Sequence, residues 1–152
     1  MANLRPLELA SDMAKRQRDD AARVVAQRQG QKQAAAMQLQ QLQAYVSETE
    51  NKWIGRNVAS DAAVMHHHYQ FLEKLQHAID YQQRVIQTHE AQITQAQTAL
   101  IEAEHKLKRF QHVLDTRKAV IAQGQARQEQ KQMDEMASQM MARQSRRAKE
   151  HV

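Results

Sequence analysis

Every seventh residue from Met65 to Ile121 is apolar: Met65, Leu72, Ile79, Ile86, Ile93, Leu100, Leu107, Leu114 and Ile121. A repeat of seven keeps its members along one slowly drifting line of an α-helix. A β-strand would scatter them, because its faces alternate at every second residue. The pattern therefore predicts a long helix with one continuous apolar seam, and a seam of that length requires a partner helix. The companion positions are His68, Leu75, Gln82, His89, Ala96, Ala103, Phe110, Arg117 and Gly124. Polar companions of this kind are common in antiparallel pairs, where they fix register. Val85, Ala99, Val113 and Val120 widen the stripe on one side.

The preceding segment follows the same period less strongly. One register is Leu4, Ser11, Arg18, Val25, Lys32, Leu39, Val46 and Trp53; its companion is Leu7, Ala14, Ala21, Arg28, Ala35, Leu42 and Thr49. Large apolar residues stand at both ends, and alanine and polar groups fill the middle. Asn3 is placed to cap the first turn, where Pro6 is tolerated because its missing N–H has no intrahelical partner. Gly55 suits a left-handed C-terminal position, and Asn57, Ser60 and Asp61 offer caps for the next helix. The expected organisation is a single all-α antiparallel coiled-coil hairpin. Helix 1 spans about 4–54, the tip 55–60 and helix 2 about 61–123, with extension to about 143 and then a basic tail.

Folding the chain about this tip sets residues whose numbers add to roughly 115 opposite one another. Leu42 then faces Leu72 and Leu75, and Leu4 faces Phe110. Helix 1 is exhausted near residue 112, yet Leu114, Ile121, Met133, Met136, Met140 and Met141 continue at helix-compatible spacing. Such an overhang, about 45 Å long at 1.5 Å per residue if helical, is either a docking element or a frayed tail, and the persisting spacing favours docking on another body.

Composition supports thin helical packing. The chain of 152 residues has one Pro, three Gly, one Trp, three Tyr and two Phe, with 26% charged residues. Few breakers and abundant helix formers favour long helices, and few aromatics argue against a thick core. There is no cysteine, which excludes a disulfide framework and thiol chemistry. No stretch approaches roughly 18 consecutive apolar residues, and no signal-peptide core is present, so a cytoplasmic protein is expected. The net charge of +5 is dispersed except late, at Arg143, Arg146, Arg147 and Lys149.

Catalytic signatures are lacking. His66, His67 and His68 point about 100° apart on a helix and cannot converge on one metal. No glycine-rich phosphate loop occurs, and two helices enclose no cleft for a catalytic group. Asp19–Asp20 and Asp134–Glu135 read as solvated charges. No cofactor, metal or small-molecule substrate is expected, and the chain reads as a non-enzyme. A protein-binding patch is expected near the tip: Gln38, Leu42 and Tyr45 share helical spacing on the first helix, as do Phe71, Leu75, Ala78 and Gln82 on the second. Aromatics and leucines beside polar groups suit an interface.

DDAAR (Asp19–Arg23), YQFLEKLQHAI (Tyr69–Ile79) and QKQMDEMA (Gln130–Ala137), with Trp53 near the end of the first helix, resemble the FliJ family, coiled-coil proteins of the bacterial flagellar type III export apparatus. The resemblance implies a soluble stalk similar to that of rotary ATP synthases. It implies binding to the export ATPase ring through the end holding the termini, contact with the export-gate protein FlhA near the tip, and escort of export chaperones. It also implies peripheral association with the inner-membrane apparatus. On this carry-over the gate-binding surface is Gln38, Leu42, Tyr45, Phe71, Leu75 and Ala78. Gln82 and Thr49 depart from the residues found in relatives. The ATPase-ring surface comprises Asp19, Asp20, Arg23, Leu114, Ile121, Met133, Asp134 and Met136. Two other readings stay open: a basic coiled coil that binds nucleic acid through Arg143, Arg146, Arg147 and Lys149, disfavoured by the lack of aromatic–basic interleaving, and a rod that self-assembles through Leu114–Met141.

Overall fold

The computed structural model describes residues 3–56 and 62–151. They form two helices, α1 (Arg5–Arg56, 52 residues) and the longer α2 (Ala62–Glu150, 89 residues). No strand occurs among the described residues.

Local chemistry starts α1. Arg5 donates its backbone N–H to Asn3 Oδ1 at 3.0 Å, and Glu8 N–H reaches the Leu4 carbonyl at 2.9 Å. Asn3 thereby satisfies one of the donors that a helix start leaves without a partner. Glu8 adds an acid to the first turn, where the helix dipole favours it. The other end differs slightly from expectation. Gly55 lies inside the helix, which runs to Arg56. The proposed caps Asn57, Ser60 and Asp61 fall outside the described residues.

α2 passes through Gly124 and reaches Glu150, beyond both limits read from the seam. A lone glycine costs about 1 kcal/mol relative to alanine, and its neighbours here are mostly Gln, Ala, Arg, Glu, Lys and Met, which propagate helix well. The apolar period marks where a helix is buried, whereas backbone propensity decides where it ends.

The chain divides into two compact units. The larger is Lys15–Glu104. Within it α1 and α2 pair as an antiparallel coiled coil, because partner numbers fall on one helix as they rise on the other. Trp53 meets His68, Tyr45 meets Phe71, Lys32 meets Glu90 and Arg28 meets Gln92. Tyr45 and Phe71 add to 116, close to the 115 expected from the tip, whereas the other three pairs add to 120–122, a few residues beyond it. Ala35, Ile79 and Ala96 are the buried core. Seam positions Val25, Leu39, Leu42, Val46, Leu72, Leu75, Ile86, Ile93 and Leu100 are half-buried, as a two-helix interface allows.

The polar centre of the α1 seam is accommodated by long side chains that lie along the interface with their heads outward. Lys32 Nζ sits 3.4 Å from Glu90 Oε1, and Arg28 Nη1 lies 3.4 Å from Gln92 Oε1. Pairs this exposed contribute about 0–1 kcal/mol each, so they set register more than stability. His89 occupies the same seam, and its buried Nδ1 has no hydrogen-bond partner among the described residues.

The second unit, Met1–Ala14 with His105–Val152, is described by itself. Ala14 and Leu107 are its buried residues, at 1% and 4% exposure. Leu4, Leu7, Phe110, Leu114 and Ile121 are half-buried. From Ala122 to His151 every described residue is exposed.

Candidate functional site

Leu42 and Leu75 stand at seam positions and are half-buried, as is Ala78 beside them; Gln38 is exposed. Tyr45 and Phe71 occupy flanking positions. Their rings meet edge to face, with centroids 6.0 Å apart and planes at 81°. Tyr45 keeps 50% of its surface exposed and Phe71 39%. The Thr49 hydroxyl donates to the Tyr45 carbonyl at 2.8 Å. This is an aromatic pair attached to the seam but not enclosed by it.

Gln82 holds the same region from below. Its Nε2 donates to the Ala35 carbonyl and to Gln38 Oε1, each at 3.0 Å. One polar companion residue thus ties two turns of α1 to α2 and orients the exposed Gln38 amide. Hydrogen bonding of this kind fixes rotamers at a surface without adding buried apolar area.

A shallow depression of about 220 Å³ adjoins the aromatic pair, lined by Tyr45, Glu48, Thr49, Lys52, Trp53, His68 and Phe71. The Trp53 indole lies flat on the His68 imidazole, with centroids 4.0 Å apart and planes at 8°. His68 also touches Tyr69 edge-on at 5.8 Å. Sequence reasoning did not join Trp53 to the patch. The signal was available, since Trp53 and His68 are both seam positions, but a register of 115 sets them out of step.

His66 and His67 are exposed and His68 is taken up by the indole. His77 Nε2 stands 3.8 Å from Glu73 Oε1, one turn away. Among the described residues no three side chains are grouped to hold a metal ion.

The residues expected at the ATPase end divide between the units. Asp19, Asp20 and Arg23 belong to Lys15–Glu104. Asp19 Oδ1 accepts from Arg18 Nε and Nη2 at 3.0 and 2.7 Å, and Arg23 Nη1 lies 3.4 Å from Asp20 Oδ1. Leu114, Ile121, Met133, Asp134 and Met136 belong to the other unit. Leu114 and Ile121 are half-buried, so the fully exposed stretch begins after Ile121 and not at residue 112. Met133, Met136, Met140 and Met141 are exposed large apolar side chains, and Asp134 Oδ1 accepts from Gln130 Nε2 at 3.3 Å. An apolar depression of about 270 Å³, lined by Lys106, Arg109, Phe110 and Val113, lies in this unit too.

No helix among the described residues is long and apolar enough to cross a membrane. The arrangement offers exposed aromatic and thioether side chains on a helical scaffold, which is interface chemistry. Among curated proteins none matches the chain. The family profile described as Flagellar FliJ protein matches residues 3–146, nearly the whole sequence. The chain belongs to the FliJ family, and is a flagellar protein related to export.

Proposed function

We propose that this protein is a two-ended connector of the flagellar type III export apparatus and catalyses nothing itself. One surface, Gln38, Leu42, Tyr45, Phe71, Leu75 and Ala78, binds the export-gate protein FlhA. Leu114, Ile121, Met133, Asp134 and Met136 bind the export ATPase ring, and Asp19, Asp20 and Arg23 of the other unit also contact it. The same molecule escorts export chaperones, and works in the cytoplasm against the inner-membrane apparatus.

The observation that supports this reading best is the exposed Tyr45–Phe71 pair, held edge to face beside a half-buried leucine seam. Aromatic residues anchored at one edge and open at the other are favoured as interface hot spots. The exposed thioethers of Met133 and Met136 supply adaptable apolar contact for a second partner. Binding at either surface would bias the partner only through differential affinity for its conformations.

The direct test is capture of the gate protein's soluble domain and of the ATPase by the purified chain. Retention of both, with separate loss on Tyr45→Ala/Phe71→Ala and on removal of Gln125–Val152, is the expected result. Retention of neither partner would sink the connector reading. A chain that instead sediments as a stable self-assembly through its C-terminal helix would favour the structural-rod alternative.

A further inference from the structure

Antiparallel pairing gives the Lys15–Glu104 unit two lateral flanks, and they differ in character. Counting in sevens from the Tyr45–Phe71 contact, one flank carries Gln31, Gln38, Tyr45 and Lys52 on α1. On α2 it carries Val64, Phe71, Ala78, Val85 and Gln92. All of these are exposed or half-buried, and none is an acid. The shallow depression beside Trp53 opens on the same side. At matching levels the other flank holds Glu50 and Glu90, and only Ala36 and Tyr69 there are apolar.

A flank of apolar residues and amides fits a surface of the same character. Glutamine both donates and accepts, so like can pair with like. We infer that two copies of this chain associate through this flank, side by side and parallel. A twofold axis along the rod then lays α1 of each copy over α2 of the other. Tyr45 of each copy meets Phe71 of the other, and four rings cluster.

Charge selects this arrangement. Glu48 and Lys74 border the flank, both exposed, and share a level by the register of Lys32 with Glu90. The axis sets Glu48 of each copy opposite Lys74 of the other, twice per dimer. An antiparallel dimer would lay α1 on α1 and lose both pairs. Asp20 and Glu102 share a level farther along and would repel across the same axis, which ends the contact near Gln92. From Val64 to Gln92 the flank is about 42 Å long, and two helices are about 20 Å wide. Each copy therefore covers about 800 Å², the size of a stable specific interface. Tyr45 and Phe71 also belong to the surface proposed for the gate protein. Self-association stands without that reading; where both hold, dimer and gate complex exclude each other.

The test is sedimentation equilibrium of the full chain at micromolar concentrations, where a monomer–dimer equilibrium is expected. Tyr45→Glu/Phe71→Glu places four acids at the centre of the contact and should weaken the dimer roughly a hundredfold. Gln76→Glu/Gln83→Glu on the other flank and Met136→Glu/Met140→Glu on the last turns should leave it unchanged. Glu48→Lys should weaken it about tenfold, and Glu48→Lys/Lys74→Glu should restore it, because both pairs re-form with the charges exchanged. Circular dichroism checks that each variant stays helical, which the exposure of Glu48 and Lys74 favours. A monomer at every concentration overturns the inference. So does undiminished association of Tyr45→Glu/Phe71→Glu, or an exchange of charges that fails to restore the dimer. Loss of the dimer in Met136→Glu/Met140→Glu overturns it too, and assigns association to the C-terminal turns.

Discussion

The Tyr45 ring stands edge-on to Phe71 across the two helices, 6.0 Å between centroids, with neither ring enclosed. A pair so placed contributes little to holding the helices together, since edge-to-face contact adds about 0.5–1.5 kcal/mol. Its exposed faces remain free to meet a partner.

Phe71→Ala is accordingly expected to leave helicity near wild type while weakening binding to the FlhA soluble domain about tenfold or more, the loss of an aromatic hot spot. Leu75→Ala, at the half-buried seam, is expected to lower the melting temperature as well. Titration calorimetry and thermal melts on the two single variants separate the effects. Equal loss of stability in both would make Phe71 a core residue.

Every described residue of the segment Gln125–Val152 is exposed, so its removal uncovers no core. The paired unit Lys15–Glu104 should melt within a few degrees of the full chain, whereas the proposed capture of the export ATPase should disappear. Pull-down of the purified ATPase by the full and the truncated chain decides this. Full capture by the truncated chain would remove Met133, Asp134 and Met136 from the ATPase-binding surface.

Leu107 is 4% exposed, and its truncation to alanine should destabilise folding by about 2–3 kcal/mol, near the low end for core leucines because a two-helix interface is thin. Met133→Ala should change stability by less than about 0.5 kcal/mol. Urea denaturation followed by circular dichroism compares them directly.

An added Cβ at Gly30 would meet nothing within 4 Å. Gly30→Ala should therefore stabilise α1 by about 0.5–1 kcal/mol through the lost backbone freedom of the unfolded chain. A lower urea midpoint would indicate that this glycine serves a packing need that the static structure does not contain.

Gln82→Ala removes the donor shared by the Ala35 carbonyl and Gln38 Oε1. The expected cost is about 1 kcal/mol, as for a typical intramolecular hydrogen bond. Faster hydrogen exchange around residues 35 and 82 should accompany it; unchanged exchange there would argue that Gln82 does not clamp the seam.

Much of the fold was legible because a heptad repeat encodes burial directly. Residues at both registers from Leu4 to Trp53, and from His68 to Phe110, are buried or half-buried, including the polar Arg28, Lys32, Gln82 and His89. The exposed placing of the Tyr45 and Phe71 rings was legible for the same reason, since both residues flank that stripe. Trp53 against His68 was missed because periodicity carries phase along one helix but not the offset between two. That offset depends on the connection between them and on pairs such as Lys32 with Glu90.

The sequence by itself determined that the chain is two helices and which side of each is apolar, because 3.6 residues per turn convert spacing into a face. It also determined the absence of thiol chemistry and the basic character of the last turns. Only the tertiary structure decided which residues meet. A seam states that a side chain needs cover, and packing of specific atoms sets whether Leu114 finds it, whether Gln82 reaches Ala35, and where exposure begins after Ile121.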